Sequence, residues 1–247
     1  MISDLFNLQN KNIFITGASS GIGKDLSIKL DQLGCNVFIT GRNEERLNET
    51  KNILFDQSKR VPNSYVCDLT QINEIEILSN TIPILDGVVF CAGIVEYTPV
   101  KFLNEEKINK IFSINFTSQV ILTQQLLKNK KIKSGSSIVY ISSISSKIGV
   151  PGTSIYSASK SAINAFMKVT ASELSNKKIR VNSICPGSIK TPMVEKAFEL
   201  NSNLSGDYPL GLGETSDVLG ACIFLLSDAG RWITGTEIIL DGGLTIK

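Results

Sequence analysis

Tyr156 and Lys160 stand four residues apart, and Ser143 lies thirteen residues before the tyrosine. A helix places positions i and i+4 on one face, about one turn apart. An ammonium beside a phenol favours the phenolate and lowers the phenol's pKa, and a phenol tuned this way can serve as a general acid or base near neutral pH. Far upstream, Thr16-Gly17-Ala18-Ser19-Ser20-Gly21-Ile22-Gly23 closes an apolar run. If a strand ends at Thr16 and a helix begins near Gly21, its first backbone amides face outward and favour an anion such as a pyrophosphate. Gly17 allows the tight turn, and Gly21 and Gly23 let a cofactor and the sheet come close. A Walker loop is excluded, because that pattern needs glycine where Ala18 stands and serine or threonine where Asp25 stands. One part of the chain is thus suited to binding a nucleotide and another to moving a proton.

The 247 residues contain no histidine. That removes Ser-His-Asp and Cys-His nucleophiles, H-E-x-x-H zinc sites and Cys2His2 fingers together, so no metal site is expected. Acid and base work falls to tyrosine, lysine or carboxylates. Five cysteines at 35, 67, 91, 185 and 222 form no C-x-x-C pair, which suits reduced core thiols in a cytoplasmic protein. Lysine and arginine total 25 against 23 acids, so no global field favours nucleic acid or an anionic membrane. The first eleven residues lack the basic start and apolar stretch of a signal peptide, and no apolar run approaches the ~20 residues of a membrane helix.

Hydrophobic periodicity predicts strands at 12–16, 36–40, 64–67, 87–91, 137–142, 179–184 and 237–240. Helices are predicted at 21–33, 43–55, 105–128, 154–174 and 216–226. Strands alternating with helices imply right-handed crossovers: a doubly wound, Rossmann-like α/β domain with about seven parallel strands and helices on both faces. One domain is expected over 1–247. The glycine-, asparagine- and proline-rich segment 190–213, with Phe198, Leu200, Leu204 and Tyr208 interspersed, reads as a substrate flap with an apolar underside.

The second strand ends in Thr40-Gly41-Arg42. A carboxylate at that place takes a ribose 2′-hydroxyl, whereas an arginine accommodates a 2′-phosphate, so Arg42 favours NADP(H) over NAD(H). The bland alternative is a solvated arginine opposite Glu45 or Glu49.

The ordered set of TGxxxGxG, an aspartate after strand three, Ala-Gly after strand four, a helical asparagine, serine, YxxxK and Pro-Gly resembles the classical short-chain dehydrogenases/reductases from about residue 10 to 247. Length and the ending Asp241-Gly242-Gly243 look most like their 3-oxoacyl-(acyl-carrier-protein) reductases. The resemblance implies that Tyr156 donates the proton when a carbonyl is reduced, that Lys160 lowers its pKa and bonds the nicotinamide ribose, and that Ser143 bonds the substrate oxygen. It implies that Asn115 holds a water linking Lys160 to solvent. Gly17, Ser19, Ser20 and Ile22 would contact phosphates and ribose, and Asp68 and Leu69 the adenine. Cys91, Ala92 and Gly93 would line the adenosine ribose, and Pro186, Gly187, Ile189 and Thr191 would hold the nicotinamide amide.

Each assignment has a plainer competitor. Ser142 competes with Ser143, and Asn115 could merely satisfy a buried backbone group. Tyr97 and Lys101 repeat the Tyr-x-x-x-Lys spacing, but Pro99 between them spoils a regular helix. The chain has Phe90-Cys91-Ala92-Gly93 where the family commonly has Asn-Asn-Ala-Gly, which puts local rigidity there in doubt. Residues 148–152 with Val95, Glu96 and Tyr97 should wall an apolar site suited to a neutral ketone. Lys128, Lys130, Lys131 and Lys133 enter a strand start on the far edge, where they suit a solvated face better than a dock for an acidic carrier protein. Two readings follow: an NADPH-dependent carbonyl reductase, for 3-oxoacyl thioesters or another ketone, alcohol or sugar, and a non-catalytic dinucleotide sensor. Family resemblance further implies a homo-oligomer, dimer or tetramer, with Ile108, Ile111, Phe112, Phe166 and Val169 available to the sheet or to a partner.

Overall fold

The structure, a computed structural model, describes residues 2–59, 61–195 and 204–246. Its main elements are α1 (Ile2–Leu5), β1 (Asn12–Thr16), α2 (Gly21–Gln32), β2 (Asn36–Gly41), α3 (Glu44–Ser58), β3 (Asn63–Val66), α4 (Ile72–Thr81), β4 (Leu85–Phe90), α5 (Glu105–Phe112), α6 (Ser118–Lys128), β5 (Ile132–Ile141), α7 (Ser154–Leu174), β6 (Arg180–Pro186), α8 (Thr215–Leu226) and β7 (Glu237–Leu240). The sheet has seven parallel strands, as the alternating pattern predicted, and they order as β3-β2-β1-β4-β5-β6-β7.

Side chains of successive strand residues point to opposite faces, so each central strand feeds two cores. Ile13 and Ile15 join Leu26, Leu30, Leu47, Val218 and Leu225 beneath α2, α3 and α8. Phe14 goes to the other side, with Ile75, Leu78, Leu122, Leu126, Ile163 and Met167 beneath α4, α6 and α7. Phe90 and Tyr140 stack in that second core with ring centroids 4.7 Å apart. Helix starts are fixed locally. Asn43 Oδ1 accepts the Arg46 N–H at 2.8 Å at the head of α3, and Glu214 with Asp217 forms a reciprocal capping box on α8.

Three features depart from the sequence expectation. Helix α4 was not predicted. Its buried Ile75 and Leu78 keep helical spacing, but exposed Ile72 and Ile77 spread apolar residues around the helix and blur the stripe. The helix expected over 105–128 is interrupted by a π-helical turn, Ser113–Thr117, which carries Asn115. β5 begins at Ile132 rather than 137, with a register irregularity between Leu85 and Gly87 and with Gly135 at φ +83°. A strand that slips register loses the alternation by which it is read. Of the apolar residues weighed for sheet or partner, Ile111 is buried and Phe166 sits edge-on to Tyr140, while Ile108 and Val169 reach solvent. Among the described residues no helix is long and apolar enough to cross a membrane.

Candidate active site

The strand order runs outward in opposite directions from β1 and β4, which opens a crevice above their carboxyl ends. Gly17 makes the turn there at φ +68°; a Cβ on it would fall 2.8 Å from Ala92 Cα, so only glycine lets the two loops meet. A Cβ on Gly23 would fall 2.5 Å from the Gly17 carbonyl oxygen, which fixes how tightly α2 seats on the loop. The rigidity left in doubt by Cys91 comes from other groups. Thr16 Oγ1 accepts the N–H groups of Cys91 and Ala92, both at 3.1 Å, and Gln119 donates to the Ala92 carbonyl at 2.9 Å.

A groove of about 440 Å³ follows this loop. It collects Gly17, Ser19, Ser20, Ile22, Arg42, Asp68, Leu69, Cys91, Ala92, Gly93 and Thr191 from the predicted set. Pro186, Gly187 and Ile189 line a second cavity of about 740 Å³ together with Ser143, Tyr156 and Lys160. Ile22, Cys91, Gly93, Thr191 and Met193 border both spaces, so groove and cavity are continuous. The groove fits a dinucleotide: outward amides and no Cβ at the turn, with an arginine at its far end. That end holds two arginines, because Arg46 lines it beside Arg42. Sequence reasoning missed Arg46, although its place four residues after Arg42 was a usable signal. Glu49 pairs with Lys24 at 3.5 Å, not with Arg42.

Tyr156 and Lys160 share the inward face of α7, with the ammonium 5.8 Å from the phenol ring centroid. Lys160 Nζ donates to the Ile141 carbonyl at 2.8 Å. The Ser143 side chain stands beside the Tyr156 phenol in the cavity wall, and its hydroxyl accepts the Ser145 N–H at 3.1 Å. Ser142 turns away and donates to the Lys160 carbonyl at 3.2 Å. Asn115 lines neither space. It sits behind Gly93 with Oδ1 accepting the Ile94 N–H at 2.8 Å and Nδ2 donating to the Ile94 carbonyl at 2.9 Å and Ser159 Oγ at 3.1 Å. Its side-chain amide is therefore spent on bracing the turn after β4.

Burial pushes the Tyr156 phenol up to about 12, against the opposing hydrogen bond with Ser143. Desolvation of the phenolate is the larger of these causes. Burial also brings Lys160 down to about 8, with Cys91 and Cys185 acting the other way. At neutral pH the site thus holds a protonated phenol and a mostly charged amine.

A hydrogen-bond chain that the sequence did not reveal fixes the backbone of Ser143. Ser146 Oγ donates to the Ser143 carbonyl at 2.7 Å, and Asn164 Nδ2 donates to Ser146 Oγ at 3.0 Å and to Glu237 at 2.7 Å. Lys147 and Lys168 clasp Glu237, each at 2.6 Å. Asn164 follows Lys160 by four residues, a spacing that places it on the same helical face.

The cavity walls are apolar as expected, with Val95, Ile144, Ile148, Val150, Pro151 and Leu244 among them. Lys160 is the one cation and Asp207 the one carboxylate among its described lining residues. Glu96, expected in the wall, instead pairs outward with Lys110. Of the expected flap, residues 196–203, which include Phe198 and Leu200, lie outside the described residues, as does the side chain of Leu204. Tyr208 is buried, its hydroxyl accepting the Ser188 N–H at 3.0 Å and donating to Ser188 Oγ at 2.8 Å.

Comparison with known proteins adds four findings. Residues 17–245 match the family model described as enoyl-(acyl carrier protein) reductase. The 3-oxoacyl-(acyl-carrier-protein) reductase of Rickettsia felis is 34% identical over 242 residues, covering 97% of this chain and 99% of the relative. The cyclopentanol dehydrogenase of a Comamonas species is 31% identical, covering 96% and 98%. Among solved structures, a short-chain type dehydrogenase/reductase from Mycobacterium marinum superposes with a TM-score of 0.93 at 29% identity over the whole of both chains.

Proposed function

The chain belongs to the short-chain dehydrogenase/reductase family, and on that footing we propose that it is an NADPH-dependent reductase of 3-oxoacyl thioesters. Its coarser activity is that of an NAD(P)-dependent oxidoreductase acting on CH–OH and C=O groups. The observation that carries the proposal is the meeting of the Ser143 hydroxyl and the Tyr156 phenol in an apolar cavity that opens into the glycine-loop groove. The bound nicotinamide cofactor supplies the hydride. The chain does the rest: Ser143 and Tyr156 hold the carbonyl oxygen, and the phenol hands its proton to that oxygen as negative charge develops there. A phenol kept neutral is in the donating form, and an alkoxide is a far stronger base than a phenolate, so transfer runs toward the alcohol. Lys160 places a cation beside the phenol as it gives up its proton. Asn115, Asn164 and Glu237 act behind these groups as positioning residues.

Two arginines line the far end of the groove and no carboxylate closes β2, which favours the 2′-phosphate of NADPH. The substrate reading draws on the apolar lining, which suits an uncharged acyl chain, and on the names of the Rickettsia relatives; we place the thioester on the same carrier protein those names print. Lys131 and Lys133 take no part in docking that carrier. They close strand starts at the opposite edge, on Asn80, Ile82 and Asp86. We further read 1–247 as one domain with 190–213 as its flap, and the exposed Ile108 and Val169 as faces of a dimer or tetramer; a monomer by light scattering rejects the oligomer. The same apolar lining favours a second reading, a dehydrogenase of small cyclic alcohols like the Comamonas relative. NADPH oxidation with an acetoacetyl thioester and with cyclopentanone decides between them. Faster turnover of cyclopentanone sinks the thioester reading.

A further inference from the structure

Three phenols line the substrate cavity: Tyr97, Tyr156 and Tyr208. Two are committed. Tyr208 spends its hydroxyl on Ser188, at 3.0 and 2.8 Å, and Tyr156 stands beside Ser143 as the proton donor of the proposed reaction. Tyr97 is half-buried and its hydroxyl takes no hydrogen bond from the described residues, although it lies within electrostatic range of both other phenols. The ring is not on a loose segment. Asn115 grips both backbone groups of Ile94, and the Thr98 N–H donates to the Gly152 carbonyl at 2.7 Å, so 94–98 is pinned on either side of Tyr97. A held donor that lines the cavity and has no partner among the described residues is available to an acceptor bound there.

We propose that Tyr97 is a substrate-positioning residue that donates a hydrogen bond to a second oxygen of the substrate, while Ser143 and Tyr156 hold the oxygen being reduced. The site then selects ketones that carry a further acceptor and discriminates against ketones that carry none. A 3-oxoacyl thioester has such an acceptor, its thioester carbonyl, two carbons from the ketone. The inference rests on the reductase reading but is not confined to thioesters, since a keto sugar also offers second oxygens. Burial holds the Tyr97 phenol above its ordinary pKa, with Tyr208 adding to the effect, so it stays protonated and able to donate throughout the neutral range.

The test compares wild type with Tyr97→Phe, which keeps the ring and removes only the hydroxyl. The kcat/KM values for NADPH-dependent reduction of an acetoacetyl thioester, a keto sugar and cyclopentanone are measured, alongside thermal melts of both proteins. Removing one neutral hydrogen bond should cut the preference for the thioester over cyclopentanone about tenfold, with the loss mainly in KM. An unchanged preference ratio, or wild type that prefers cyclopentanone to both other ketones, overturns the inference. Wild type that reduces the keto sugar but not the thioester overturns the thioester reading alone, and Tyr97 is then judged on the sugar-to-cyclopentanone ratio. No turnover of any of the three overturns both.

Discussion

The two ends of the crevice are built on opposite electrostatic plans. At the substrate end, Tyr156 and Lys160 are enclosed, and burial rather than a neighbouring charge sets both pKa values, up to about 12 and down to about 8. At the adenosine end, Arg42 and Arg46 stand exposed on the first turn of α3 and its approach. Interactions in a low-dielectric cavity are strong, specific and hard to compensate, whereas exposed charges act through a screened field. Single-atom changes should therefore be severe at the first end and mild and salt-sensitive at the second.

The largest expected effect comes from Tyr156→Phe. The ring stays and the proton donor goes, so the reduction rate should fall at least ~100-fold, while the groove, which Tyr156 does not line, keeps its affinity for the cofactor. Single-turnover kinetics and cofactor titration by fluorescence check the two halves separately. A mutant of near-normal rate would erase the contrast between the two ends.

The pH profile sharpens the same contrast. Lys160, lowered to about 8, is charged below that pH and neutral above it. If its charge assists proton donation, kcat/KM for reduction should fall on the alkaline side with an apparent pKa near 8, by about tenfold per unit beyond it. A flat profile from pH 7 to 9.5 would mean that the ammonium contributes nothing to the transfer. Cofactor affinity through the arginines should not follow this limb, because guanidinium stays charged over the whole range.

The same division explains what the sequence disclosed. The inner strands and the glycine turn were legible because parallel strands buried on both faces are continuous apolar runs, and a turn at Gly17 tolerates no side chain. Tyr156, Lys160 and Ser143 were legible because their spacing is itself helical or strand-terminal. What stayed hidden depends on contacts between distant segments. The chain from Glu237 through Asn164 and Ser146 to Ser143 joins β7 to the turn after β5, and nothing local predicts it. The enclosure of Tyr156 stayed hidden for a related reason: the neighbouring lysine is written in the sequence, but the depth of burial is not. Helix α4 escaped because exposed Ile72 and Ile77 mimic core positions.

At the exposed end, Arg42→Ala should weaken NADPH about tenfold and NADH much less, since only the former carries the phosphate that a guanidinium grips. Equal losses for the two cofactors would remove Arg42 from the phosphate site.

Arg46→Ala gives the smallest expected effect and the most discriminating one. Arg46 enters the helix three positions after the Asn43 cap, and its backbone N–H is already held by Asn43 Oδ1, so trimming the side chain leaves the cap intact. Its guanidinium lines the groove from the first turn of α3, where it adds to the field around a bound phosphate. A loss of NADPH affinity of about threefold is expected, within the ~1 kcal/mol scale of exposed charge pairs. Because each guanidinium attracts the phosphate on its own, the double variant should lose more than either single variant. Raising the salt to ~0.5 M should shrink the single and double effects together, by screening. If the double variant instead loses no more than Arg42→Ala, the phosphate is gripped by Arg42 alone. If the losses persist undiminished in high salt, the adenosine end is enclosed in the bound state and works by the same desolvated contacts as Tyr156.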